Sequence, residues 1–93
     1  MASIMSKKNG QKLPPGLWVV ATPLGNLGDL SARATRALAE ADGVLCEDTR
    51  RTSTLLAALE ISNKLERLDA HASIGEIAAV IKRLQAGESL ALV

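Results

Sequence analysis

Two short runs in this chain of 93 residues carry side chains that can do chemistry. Glu47-Asp48-Thr49-Arg50-Arg51 puts two carboxylates beside two guanidinium groups. Arginine suits phosphate recognition, and carboxylates position a polar substrate or accept a proton from it. The same residues have a purely local use, because Asp48 can cap a helix by accepting from its first-turn amides. Arg50 and Arg51 would then sit at the positive end of that helix dipole, so capping alone does not explain the run. The second run is Thr22-Pro23-Leu24-Gly25-Asn26. Pro23 presets a turn, Gly25 permits close backbone approach to a ligand, and Thr22 and Asn26 add donors and acceptors. The alternative is an ordinary turn between a strand and a helix. The run is neither G-x-G-x-x-G nor a P-loop with its Gly-Lys-Ser/Thr, so neither a dinucleotide site nor a nucleotide-hydrolase site is indicated.

Single residues add less. His71 is the only histidine and reads as structural or solvated rather than catalytic. Cys46 reads as a small buried strand residue, with no histidine beside it in sequence to make it a nucleophile. Trp18 reads as core, and Arg33 and Arg36 as solvated residues on the outer face of a helix. No metal site is indicated.

The elements that must hold these runs alternate. Pro14, Pro15 and Gly16 stop any earlier element, because proline fixes φ and lacks a donor. Leu17-Trp18-Val19-Val20-Ala21 follows as a continuous apolar run, the pattern of a strand covered on both faces. A helix is expected from Ser31 to Ala41, with Ser31 as N-cap and Leu30, Ala34, Ala37, Leu38 and Ala41 on one face. Gly43 to Cys46 reads as a second strand. A second helix runs to about Leu59, with Leu55, Leu56 and Leu59 inward. Lys64 to Leu68 reads as a weaker strand. Ser73-Ile74-Gly75-Glu76 is a capping box, opening a helix with Ile74, Ile77, Ala78, Ile81 and Leu84 on one face and Gly87 as its C′ residue. Leu90 to Val93 reads as a fourth strand. The order β-α-β-α-β-α-β predicts an α/β fold with a mainly parallel sheet and helices on both faces. In such sheets ligands sit at the carboxyl ends of the strands, where Thr22 to Asn26, Glu47 to Arg50 and Asp69 to Ser73 fall.

Composition allows at most one small domain, residues 16–93, after a tail at 1–15 that is disordered or in part foreign to the natural sequence. Apolar residues make up 47% of the chain with one Trp and no Phe or Tyr, so the core must come from Leu, Ala, Val and Ile. A net charge of +1 argues neither for nor against a nucleic-acid partner. One cysteine excludes an internal disulfide and a Cys-rich zinc site, and suits a reducing compartment. No stretch reaches the roughly 18 apolar residues of a membrane span, and Met1 to Gln11 has no apolar h-region. A cytoplasmic location is expected.

Taken together, the motifs resemble one family. Leu17 through Thr22-Pro23-Leu24-Gly25-Asn26-Leu27-Gly28-Asp29-Leu30 is similar to the opening of the ribosomal RNA small-subunit methyltransferase I family, which reads T-P-[IL]-G-N-L-x-D-[IL] after an apolar strand. Cys46-Glu47-Asp48-Thr49-Arg50 matches the family's A-E-D-T-R, with Cys46 in place of Ala, and Gly87-Glu88-Ser89-Leu90-Ala91-Leu92-Val93 matches its G-E-[SV]-x-A-L-V. The resemblance spans about Leu17 to Val93. There is one departure: where members often carry H-E-H-N, this chain has Asp69-Ala70-His71-Ala72-Ser73, which keeps only the second histidine.

The resemblance implies the amino-terminal half of a tetrapyrrole-methylase-like fold, in class III S-adenosylmethionine-dependent enzymes. Such enzymes bind the methyl donor between two α/β domains and methylate a cytidine ribose 2′-hydroxyl in small-subunit (16S) ribosomal RNA. This chain corresponds to the first domain, so alone it is expected to bind the donor weakly or not at all and to be inactive. Thr22, Pro23, Leu24, Gly25 and Asn26 are then expected to line the donor cleft. Glu47 and Asp48 would position substrate or act as base, and Arg50 would contact an RNA phosphate or order Asp48. The small ribosomal subunit is the implied partner, and an uncovered sheet edge and apolar face favour a homodimer or other self-association. Two other classes stay open: a methylase acting on a porphyrin or corrin, and a non-catalytic interaction domain.

Overall fold

The computed structural model describes residues 13–21, 28 and 30–93. The Thr22–Asn26 run lies outside the described residues. Among the described residues four strands and three helices alternate: β1 (Gly16–Val19), α1 (Ala32–Glu40), β2 (Gly43–Cys46), α2 (Thr49–Ala58), β3 (Leu65–Arg67), α3 (Ile74–Gln85) and β4 (Ser89–Leu92). The strands form one sheet in the order β1-β4-β2-β3, and every pairing is parallel. The expected α/β class and element order hold.

The helices begin where local chemistry says they should. Ser31 accepts from the Ala34 amide at 3.0 Å and caps α1. Ser73 and Glu76 form the reciprocal capping box of α3, with bonds of 3.1 and 2.8 Å. Gly87, at φ +95°, takes the left-handed position after α3 that a side chain would strain, and Gly87 and Glu88 donate to the last-turn carbonyls of Leu84 and Arg83. Asn63 closes the other end of α1, its side-chain amide donating to the carbonyls of Leu38 and Ala41.

Strand order follows from the crossovers. The steps β1→β2 and β2→β3 run one way along the sheet, and β3→β4 runs back. Right-handed connections therefore put α1 and α2 on one face and α3 on the other. The packing agrees. On the first face Ala37 and Leu38 of α1, Ala41 at its C-cap and Leu56 of α2 join Val20, Val44 and Ala91 in one buried cluster, with Trp18, Leu65 and Val93 against it. Leu13, in the stretch expected to be a tail, is 1% exposed and belongs to the same cluster.

The α3 face is less covered. Val80 and Arg83 turn toward the sheet over Leu45, Glu66 and Leu68. The Ile74, Ile77 and Ile81 stripe is exposed at 87, 46 and 48%. What fastens α3 is polar: Arg83 donates to Glu66 at 2.7 Å and to Glu88 at 3.0 Å. The Glu66 hydrogen bond is the main reason that the guanidinium pKa is raised above its ordinary value. Gly43 makes room for this network, since a Cβ there would lie 2.8 Å from Glu66 Oε2.

Candidate functional site at the carboxyl rim of the sheet

Because all four strands are parallel, their carboxyl ends share one rim. Glu47 and Asp48 leave β2 there, and Asp69 and His71 follow β3, whose Arg67 is in register with Cys46 of β2. The segment after β1 leaves the same rim at Ala21, two strands from β2.

Asp48 does two things. It is the N-cap of α2, with Oδ1 accepting from the Arg50 amide at 3.0 Å and the Arg51 amide at 3.2 Å. Among the described residues Oδ2 has no partner, and neither do the Glu47 carboxylate or the Arg50 and Arg51 guanidinium groups, all on exposed residues. Arg50 thus meets Asp48 through its backbone N–H, not through its guanidinium. The cap explains why Asp48 stands at this position. It leaves two carboxylate faces and two cations open at a place where α/β sheets hold ligands. Acceptors and cations side by side suit a zwitterionic, hydroxyl-rich ligand such as a sulfonium donor or a nucleotide.

A second polar group lies at the end of β3. Arg67 pairs with Asp69 at 2.9 Å, and the other oxygen of Asp69 accepts from the His71 amide at 2.9 Å. That amide bond, more than the nearby Arg67 guanidinium, holds the Asp69 carboxyl below its ordinary pKa, against an opposing effect of burial. Arg67, Asp69, His71 and Glu76 line a small open cavity of about 260 Å³. The segment Asp69 to Ser73 was legible as a rim segment. The Arg67–Asp69 pair within it was not, because an Arg two residues before an Asp carries no motif.

The remaining residues take structural places. Cys46 is buried in β2, its Sγ 3.9 Å from the Glu66 carbonyl. His71 is exposed, and no ring contact ties it to Cys46. Trp18 is half-buried at the margin of the core, donating from Nε1 to the Pro14 carbonyl at 3.0 Å. Arg33, read as simply solvated, lies over the Trp18 ring at 5.4 Å, and Arg36 pairs with Glu40 at 3.1 Å. Among the described residues no group of three His, Cys, Asp or Glu is placed to hold a metal, and no helix is long and apolar enough to cross a membrane.

Comparison with known proteins adds a family. The model of the family described as Tetrapyrrole (Corrin/Porphyrin) Methylases matches residues 16–93. Among curated relatives, a "Ribosomal RNA small subunit methyltransferase I" of Erythrobacter litoralis is 52% identical over 63 residues, covering 68% of this chain and 22% of the relative. Proteins of the same name from Xylella fastidiosa and Vibrio cholerae are 49% and 43% identical, covering 86% and 85% of this chain and 29% and 27% of their own lengths. The chain thus spans less than a third of the length of these relatives.

Proposed function

Because this chain belongs to the tetrapyrrole (corrin/porphyrin) methylase family, we propose that it forms part of an S-adenosylmethionine-dependent methyltransferase acting on small-subunit ribosomal RNA. The observation that carries this reading is the identity of about half over 63 to 80 residues with relatives bearing the small-subunit name. The reaction proposed for the whole polypeptide is transfer of a methyl group to a cytidine ribose 2′-oxygen in 16S ribosomal RNA, in the cytoplasm. The donor, when bound, supplies an electrophilic methyl group on a sulfonium sulfur.

This chain's residues would act by position and charge. In-line transfer needs the ribose oxygen held against the methyl carbon, and the hydroxyl must lose its proton as the new C–O bond forms. Glu47 and the free Oδ2 of Asp48 are the acceptors available for that hydroxyl at the carboxyl end of β2. Arg50 is proposed to meet a phosphate of the same strand of RNA, as a planar guanidinium does well. Thr22 to Asn26 is proposed as the donor-side wall. The 93 residues alone are proposed to be inactive, because they match less than a third of the length of the relatives that carry the name.

The test offers tritiated S-adenosylmethionine to the full-length polypeptide with two acceptors, undermethylated small ribosomal subunits and a porphyrinogen. Label alkali-stably held at a cytidine ribose is the expected result. Label on the porphyrinogen alone would favour the second reading, which the printed description of the family itself suggests. Label on neither, from a folded protein that binds the donor, would overturn both.

A further inference from the structure

We propose that the open cavity after β3 receives an unstacked cytosine of the RNA, its base read by Arg67, His71 and Glu76. This rests on the RNA-methylating reading above and adds to it the residues that choose the base. The cavity measures about 260 Å³ and is lined by Arg67, Asp69, His71 and Glu76. Small-molecule pockets usually hold about 300–1,000 Å³, so this one suits a single base ring rather than a whole nucleotide.

The walls differ in what they offer. Arg67 directs Nη2 and Nε to one oxygen, Asp69 Oδ2, at 2.9 and 3.2 Å. Among the described residues its Nη1 has no partner, so that end of the guanidinium is left to donate. Glu76 Oε1 accepts from the Ser73 amide at 2.8 Å, and its Oε2 is left to accept. His71 is exposed, and its ring has a face on which a base can stack. No other aromatic ring serves this end of the sheet. The chain has no Phe or Tyr, and Trp18, its one Trp, lies under Arg33 in β1 at the opposite edge.

A donor, an acceptor and an aromatic face are what proteins use to read a splayed-out RNA base. A phosphate fits less well, because Asp69 already balances the Arg67 charge and Glu76 adds a negative one. Among the bases, Glu76 selects those with an exocyclic amine, and uracil would set its O4 against the carboxylate. Guanine needs both oxygens of a carboxylate for its N1–H and its amine, and Oε1 is taken. Adenine has one acceptor, N1, beside its amine. Cytosine has two, N3 and O2, side by side for a guanidinium.

The reading groups are held in advance. Asp69 fixes Arg67 and is itself fixed by the His71 amide at 2.9 Å, and the capping box fixes Glu76. Groups ordered beforehand lose less freedom on binding. The cavity also adjoins the carboxylates of β2. Leu68 donates to the Cys46 carbonyl at 2.8 Å, so β3 runs beside β2 up to the rim, about 4.8 Å away. A nucleoside with its base after β3 brings its ribose toward Glu47 and Asp48.

His71 is the only histidine, so its imidazole proton signals report on this cavity alone. Titrating the chain at fixed pH with cytidine 5′-monophosphate should move them upfield to saturation, as stacking on a base does. The uridine and adenosine nucleotides should bind roughly tenfold or more weakly. Inorganic phosphate should give no saturable shift. Glu76→Gln keeps an oxygen for the Ser73 amide and turns the free acceptor into a donor. Its fold should be unchanged and its preference should pass from the cytidine to the uridine nucleotide. In the full-length polypeptide the same variant should narrow the kcat/KM preference for small subunits carrying cytidine over uridine at the methylated position. Equal shifts by the nucleotides, a phosphate shift as large as theirs, or an unchanged preference in Glu76→Gln would overturn the proposal while label on a cytidine ribose still upheld the methyl-transfer reading. Label confined to the porphyrinogen would sink that reading, and this one with it.

Discussion

Asp48 shows how one carboxylate can serve the fold and stand ready for chemistry. Its Oδ1 is spent on two α2 amides, and its Oδ2 is open. Two substitutions separate these uses. Asp48→Asn keeps a capping oxygen and removes the charge, whereas Asp48→Ala removes both. Unfolding in urea should put the Asn variant within a few tenths of a kcal/mol of the parent and the Ala variant about 0.5–2 kcal/mol below it. In the full-length polypeptide the Asn variant should lose about 10²-fold or more in the rate of the proposed methyl transfer if the charge holds the ribose hydroxyl. An unchanged rate would reduce Asp48 to a cap. The Glu47–Arg50 run was legible as a candidate site because its residue types are adjacent. Which Asp48 oxygen is occupied, and by the amide rather than the guanidinium of Arg50, was not, because that depends on where the α2 backbone starts.

Among the elements, α3 departs most from its sequence pattern. Its isoleucines recur at helical spacing, which ordinarily marks the face turned to a core. Here Arg83 is drawn toward Glu66 and Glu88, and the stripe at Ile74, Ile77 and Ile81 stays in solvent. Periodicity reports which residues share a face. It does not report whether a sheet lies beneath that face, and one partner of Arg83, Glu66, is 17 residues away on another element. The network also gives Gly43 its role. Gly43→Ala should push Glu66 Oε2 from its place and cost about 1–3 kcal/mol, as overpacking does. Glu66→Ala in the same chain should recover part of that loss, because residues in contact are not additive. A chemical-denaturation cycle of the two single variants and the double measures this. Strict additivity would mean that Gly43 and Glu66 do not compete for space.

At the scale of the whole molecule, the parallel sheet gathers segments distant in the chain onto one rim. It also sets β4, last in sequence, between the first two strands. Closing the core recruits a residue from before the first strand: Leu13 is 1% exposed against the α1 side of the sheet. Leu13→Ala should therefore destabilise the chain by about 2–5 kcal/mol, the range for a buried leucine. Urea denaturation showing no loss would place Leu13 outside the core. Pro14 and Pro15 directly precede β1, as their fixed φ suggests, and Leu13 before them is already part of the core.

Local chemistry was readable from the residues alone: the Ser31 and Ser73 caps, the Gly87 terminus, the alternation of elements and the motifs that resemble one family. Each acts within about one helical turn or one strand, so neighbours in sequence suffice to specify it. Only the tertiary structure decided the strand order, the Arg83 network and the solvent-facing isoleucines. Those features depend on which strand lies beside which, and crossovers of 18 or more residues set that through packing that no short window of sequence contains.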